Sequence, residues 1–321
     1  RAKEIVLEEQ SFTAYMKAEE NHQPFHLYIN TPVNDFWAWE HLTAYGGEYT
    51  VIHRLDAPYL TGQGTAVLTV NLVGVMSSGS SEDAPYKVAV FLNDVNIGTA
   101  EWSAVGDYQF QAQVPANLLV AEGNAVRLVS QLNSGVNYSF IYLDSFALAY
   151  ERSYQALDGE LLFSGPDTAE SVTVNGFNSS NVLALDITDP NTPVRVRTLP
   201  GKNESGEYTI TVRTEPGQVY FITENIASTV AGTLIAETPS ALKSPANQAD
   251  YLIISPLNLM GTAQRLAEYR KEQGLQTLLV DIENIQDEFS HSLAAPEAVR
   301  DFLEYVYANW TPVPKYVVLI G

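Results

Sequence analysis

Along much of the first 240 positions, apolar and polar residues alternate with the two-residue period of strands that bury one face. Thr65 to Val73, Tyr86 to Leu92, Val95 to Trp102, Val126 to Leu132 and Phe140 to Tyr150 read as strands, with Leu27-Tyr28-Ile29 as a shorter one. Asn93-Asp94 between two apolar runs predicts a tight hairpin, and Leu118 to Asn124 predicts a loop feeding the next strand. Strands at this spacing with polar turns predict a jelly-roll-like β-sandwich over residues 1–154. A second, small β domain with a linker is expected over 155–243. Its strands are Leu161 to Phe163, Ser171 to Val174, Asn181 to Ile187, Val194 to Thr198, Tyr208 to Arg213 and Gln218 to Thr223. Gly165-Pro166, Asp189-Pro190, Pro200-Gly201 and Pro216-Gly217 punctuate them. Residues 236–249, rich in Ala, Ser, Pro and Asn, read as linker.

The period then changes. Tyr251 to Ile254 is a short, wholly apolar strand, and Leu259, Ala263, Leu266 and Ala267 form a helical stripe closed by Gly274. Thr277 to Val280 is a second strand, followed by an acidic loop. Pro296 sits at a favoured first-turn position of a helix whose apolar face is Val299, Phe302, Leu303, Val306 and Tyr307. Tyr316 to Ile320 is a third strand. Apolar strands alternating with helices predict a parallel sheet, so residues 244–321 read as the beginning of an α/β domain. The whole is therefore multidomain: all-β sandwich, small β domain, truncated α/β domain. The chain opens Arg1-Ala2-Lys3 and is expected to be the front part of a longer protein.

Composition narrows the chemistry. With 38 acidic and 17 basic residues the net charge is −21, which repels phosphate backbones, so no nucleic-acid partner is expected. No run is long and apolar enough to span a membrane. The 321 residues include no cysteine, which removes disulfides, thiol nucleophiles and Cys-ligated metals from this stretch. His22, His26, His41, His53 and His291 show no metal-ligand spacing. No cofactor is expected; calcium is the one cation that an acidic surface invites. Among the aromatics, Trp37, Trp39, Tyr45, Tyr49, Tyr59, Trp102 and Tyr108 are dense enough to form a platform for a sugar or peptide, or simply to pack a sandwich core.

In an open parallel sheet, working groups collect beyond the carboxyl ends of the strands, here Ser255 and Asp281. The acidic cluster Asp281, Glu283, Asp287 and Glu288 with His291 reads either as a carboxylate–His or cation site or as a solvated loop near a helix N-terminus. Ser255 lies in no GxSxG elbow, and no phosphate-binding glycine motif is present. No catalytic, cofactor-binding or metal-ligating residue is assigned.

One resemblance is specific. Asp250-Tyr-Leu-Ile-Ile-Ser255, Leu266-Ala-Glu-Tyr-Arg-Lys-Glu-Gln-Gly274, Thr277-Leu-Leu-Val-Asp281, Ile285 to Ser290, Pro296 to Leu303 and Pro314 to Gly321 resemble the opening of the gingipain-like cysteine peptidase domain. The preceding β regions are similar to the non-catalytic domains of large bacterial members. Ser292 departs from the pattern, since members often carry Gly there. The resemblance implies a caspase-like α/β fold and a bacterial extracellular or cell-surface endopeptidase acting on proteins or peptides. Its Cys–His pair would lie beyond Gly321, so these residues alone are expected to be inactive. Two other readings stand beside it. One is a catalytically dead relative used in surface assembly or secretion. The other is a binding module whose first β domain contacts a glycan or protein.

Overall fold

The computed structural model describes residues 10–24, 37–78, 84–225 and 240–321. The expected strand Leu27-Tyr28-Ile29 and His26 lie outside those residues. The chain divides into two compact units, 1–228 and 229–321.

In the first unit two antiparallel sheets face one another. One runs Ser11–Glu19, Tyr138–Ser153, Thr65–Ser77, Gly106–Pro115, with Glu40–Tyr45 also paired to Tyr138–Ser153. The other runs Tyr49–Leu55, Asn124–Gln131, Tyr86–Leu92, Val95–Trp102. From Glu40 to Ser153 the chain crosses repeatedly between the sheets, which is the jelly-roll habit expected from the sequence. Alternate residues point inward: Leu68, Val70 and Leu72 of one sheet share a core with Val88, Val90, Val126 and Leu128 of the other. Burial of those rows on both sheets is what fixes the register.

The hairpin at Asn93-Asp94 forms as read, with both residues at positive φ (47° and 65°). Asn93 secures it: its Nδ2 donates to the Leu118 carbonyl, and its Oδ1 accepts from Ala125 N–H at 2.9 Å. The strands Ser11–Glu19, Glu40–Tyr45, Tyr49–Leu55 and Gly106–Pro115 were not expected. Their buried rows lean on small or isolated side chains, such as Ala14 and Ala112, which carry a weak periodic signal.

Residues 160–223 add two small antiparallel sheets. Their core is continuous with the sandwich through Phe12, Tyr154 and Phe163, whose ring centroids lie 4.8 to 5.9 Å apart. Two expectations need correction here. Val194 to Thr198 is not one strand: Val194–Arg195 ends one sheet, and Thr198–Lys202 borders the other. Pro200-Gly201 lies inside Thr198–Lys202 rather than between strands. That strand is an edge, where a proline without N–H forfeits no ladder bond.

The second unit carries a three-stranded parallel sheet, ordered Thr277–Asp281, Tyr251–Ser255, Tyr316–Leu319. Helix α1 (Met260–Glu272) packs Ala263 and Ala267 against Tyr251 and Ile253 on one face. Gly274, at φ +86°, ends α1: its N–H reaches the Lys271 carbonyl while Leu275 N–H reaches Arg270. On the other face lie α2 (Ile282–Ser290) and α3 (Pro296–Asn309). Ile285, Phe302, Val306 and Trp310 close there over Leu252, Ile254 and Val280. The acidic loop expected after Asp281 is thus mostly α2, a third correction. Ile282, Ile285 and Phe289 give it an apolar stripe, and Asp281 caps it.

Residues 240–249 pack onto this unit as well. Leu242 is buried in the same cluster as Phe302.

Candidate functional site

The candidate site is the carboxyl edge of the parallel sheet, where Ser255 and Asp281 end neighbouring strands in register. Ser255 is fully buried and its Oγ donates to the Pro256 carbonyl at 3.2 Å. Among the described residues no imidazole or carboxylate is hydrogen-bonded to it.

Asp281 leaves the strand with extended backbone, and its Oδ1 accepts from Glu283 N–H at 3.0 Å. This is helix capping: a carboxylate meets the unsatisfied N–H groups and positive dipole end of α2, with Glu283 in the first turn. Asp287 accepts from the Ser292 hydroxyl at 2.6 Å. Glu288 turns toward residues 240–243: it accepts from Ser240 Oγ, from Leu242 N–H at 2.8 Å and from Lys243 N–H at 3.2 Å. His291 is exposed and ends α2 in the left-handed region, φ 52°. No bond joins its ring to any carboxylate among the described residues. The cluster therefore forms neither a carboxylate–His pair nor a cation cage. Among the described residues no group of three or more His, Asp or Glu is arranged to hold a metal ion.

Ser292 also sits at positive φ, 64°. A glycine would adopt that backbone without the Cβ penalty, which is the physical sense of the departure noted at this position.

The seven candidate platform aromatics do not share a surface. Trp39 is buried between the sheets against His53 and Phe146, at 4.3 and 5.6 Å. Trp102 is buried in a stack between Tyr86 and Tyr108, at 5.1 and 4.5 Å. Tyr49 flanks the ring of His41, and Tyr59 lies beneath Arg152. Trp37 and Tyr45 are exposed.

The sequence reading missed one half-buried titratable pair. His53 Nε2 lies 3.1 Å from Glu40 Oε2, with only 12% of the His53 side chain exposed. Burial pushes the imidazole pKa down, opposed by the charge and hydrogen bond of Glu40. His53 falls on the inward row with Val51 and Leu55, so the period-two pattern carried the signal. His41 Nδ1 lies 3.2 Å from Gln23 Oε1, and His22 pairs with Glu20 at 2.8 Å near the surface.

Comparison with known proteins places the second unit. Residues 244–321 match the model of Peptidase family C25. That match lies wholly within the second unit. Over 99% of its length the chain shares the fold of the dimeric latent PorU from Porphyromonas gingivalis, with a TM-score of 0.63 and 18% sequence identity. The chain spans 30% of that protein's length. Identity this low speaks for fold alone. A family 35 carbohydrate binding module from an environmental isolate aligns over 44% of this chain and 89% of its own, at 16% identity and a TM-score of 0.26. The CBM36-1 domain of a multidomain xylanase from the hindgut metagenome of Trinervitermes trinervoides gives 43%, 96%, 13% and 0.23. Scores of that size carry no argument. No curated protein matches the chain.

In an open parallel sheet, working groups collect at the carboxyl ends of the strands. The groups present at that edge are already committed to capping and anchoring.

Proposed function

We propose that these 321 residues are the front part of a secreted or surface-exposed bacterial cysteine endopeptidase of the gingipain type. In this reading residues 244–321 begin its catalytic domain. The observation that carries the proposal is the coincidence of the C25 match with a separate parallel-sheet unit over the same residues. The open edge strand supports it: Tyr316, Val317 and Leu319 expose apolar surface that further elements of a larger sheet would cover.

The proposed chemistry is acyl transfer. A thiolate attacks the scissile carbonyl, an imidazole passes the proton to the leaving amine, and backbone N–H groups stabilise the oxyanion. In this reading neither reacting group comes from residues 1–321: the chain has no cysteine, and among the described residues the His291 ring bonds no carboxylate. The proposed substrate is a protein or peptide.

The test extends the reading frame past Gly321, expresses the longer protein and assays fluorogenic peptides with and without a thiol alkylator. Alkylator-sensitive cleavage by the longer protein, and none by the 321-residue chain, is the expected result. A longer protein lacking a cysteine or histidine after its later strands would sink the activity and favour a catalytically dead relative.

A further inference from the structure

The parallel sheet has two outer strands, Tyr316–Leu319 and Thr277–Asp281. Further strands of a larger sheet account for the first of these edges but not for the second. Tyr251 N–H reaches the Gln276 carbonyl at 3.1 Å, in the register that sets Tyr251 beside Thr277. A parallel ladder so registered turns the amides and carbonyls of Leu278 and Val280 toward Tyr251–Ser255, and those of Thr277 and Leu279 away from it. Thr277–Asp281 has one neighbouring strand, and among the described residues no bond reaches those outward groups.

Outer strands of the first unit are blunted against further pairing. Ser11–Glu19 carries Lys17 and Glu19, Tyr49–Leu55 carries Arg54, and Thr198–Lys202 carries Pro200. Thr277–Asp281 has only Leu278, Leu279 and Val280 between its ends, with no proline, lysine or bulge. Beside it, on the α1 side, runs a groove of about 450 Å³ lined by Gln264, Ala267, Glu268, Lys271, Leu275 and Leu279. Ala267 and Leu279 belong to one apolar cluster and make its floor. The two charged groups lining it, Glu268 and Lys271, are opposite in sign, and Glu268 also accepts from Gln264 Nε2 at 3.1 Å.

We propose that Thr277–Asp281 takes an extended, uncharged segment of a partner protein as a fourth strand, with an apolar side chain of that segment in the groove over Ala267 and Leu279. Backbone complementarity selects the occupant. A row of unpaired N–H and C=O groups at ladder spacing is matched by another extended backbone. Alternate side chains of an added strand point to the α1 face, where the groove gives them a seat and hence specificity. The opposed charges of Glu268 and Lys271 favour neither an acid nor a base, so the seated side chain is neutral.

The probe is a fluorescein-labelled peptide of alternating valine and threonine, titrated against the whole chain by anisotropy, with a fully N-methylated version as control. Expected are binding of the peptide, none of the N-methylated version, and slower amide exchange at Leu279 when the peptide is bound. Thr277→Pro removes an outward N–H at no cost to the existing ladder and should weaken binding about tenfold, the scale of one main-chain hydrogen bond. Gln264→Trp, at an exposed position of α1, should weaken it too by covering the groove, whether or not Thr277→Pro folds. Val317→Pro, on the opposite edge of the sheet, should leave binding unchanged. Absent binding, binding of the N-methylated version, or unchanged affinity in both Thr277→Pro and Gln264→Trp would overturn the proposal. So would loss of binding in Val317→Pro, or dimerisation of the chain that Thr277→Pro abolishes, which would give the edge to a second copy.

Discussion

Glu288→Ala should free residues 240–243 from the α/β unit while leaving the parallel sheet intact. Wild-type Glu288 satisfies two consecutive backbone amides, Leu242 and Lys243, and the Ser240 hydroxyl. A hydrogen bond to a charged group contributes about 1.5–3 kcal/mol when its donor would otherwise be orphaned. Lys243 is exposed, so water replaces much of its lost bond. Leu242 N–H sits above a 7% exposed side chain and bears most of the cost. Taking one full bond and a fraction of the other gives about 2 kcal/mol. If residues 240–243 open locally, that equals roughly thirtyfold faster amide exchange at Leu242, at tenfold per 1.4 kcal/mol. Glu288→Gln keeps one acceptor oxygen and should show about a third of the effect on a logarithmic scale. Tyr305, whose hydroxyl donates to the Lys243 carbonyl at 2.7 Å, gives an internal check, since Tyr305→Phe should add to the effect. Hydrogen exchange with fragment-level mass spectrometry reads these residues directly. Exchange at Leu242 within about threefold of wild type in Glu288→Ala would refute the anchoring argument, because less than 0.7 kcal/mol would then be at stake.

Two further predictions concern the β unit. Gly165→Ala should cost about 2 kcal/mol or more in urea unfolding, because a Cβ would overlap the Glu215 carbonyl oxygen and backbone cannot step aside; Gly47→Ala, with nothing within 4 Å, should change nothing. For His53, burial lowers the folded pKa below 6.5, so the unfolded chain binds the extra proton first: the stability is fully present above pH 6.5 and is lost as pH falls below it. Glu40, Glu20 and His22 are the charged neighbours that modulate that loss. His53→Gln should flatten the acid limb of a stability–pH curve, and an unchanged limb would show that other groups control it.

The elements most legible in the sequence were those whose own side chains settle their structure. Tyr86–Leu92 and Val95–Trp102 match expectation at both ends, because alternation and a hairpin turn act locally. Pro296–Asn309 begins where expected, with proline in its first turn. Elements that depend on neighbours were hidden. Gly106–Pro115 buries Phe110, Ala112 and Val114 beneath outward glutamines, and its strand character comes from pairing with Thr65–Ser77 rather than from its own propensity. Pro200 was read as a break because a proline's tolerance depends on whether its strand has a neighbour on both sides, which only the sheet order reveals.

The misreading of Asp281 to His291 has the most bearing on function. Four carboxylates and a histidine in eleven residues look like chemistry when counted, yet the apolar spacing of Ile282, Ile285 and Phe289 decides the local structure. Once α2 forms, each acid acquires a direction. Asp281 points at the Glu283 amide, Asp287 at Ser292, and Glu288 at residues 240–243. Glu288, which already accepts three hydrogen bonds, is poorly placed to serve as base or ligand without leaving orphaned donors behind. The carboxyl edge of this sheet is therefore built to hold its own helices and leading segment in place. On the proposed reading, Ser255 and Asp281 are scaffold for a site whose reacting groups come from other strands. An activity loss on replacing Asp281 by Ala in the longer protein should accordingly track the loss of α2 stability, about 1 kcal/mol for a helix cap. A collapse of kcat with unchanged melting temperature would instead place Asp281 in the chemistry.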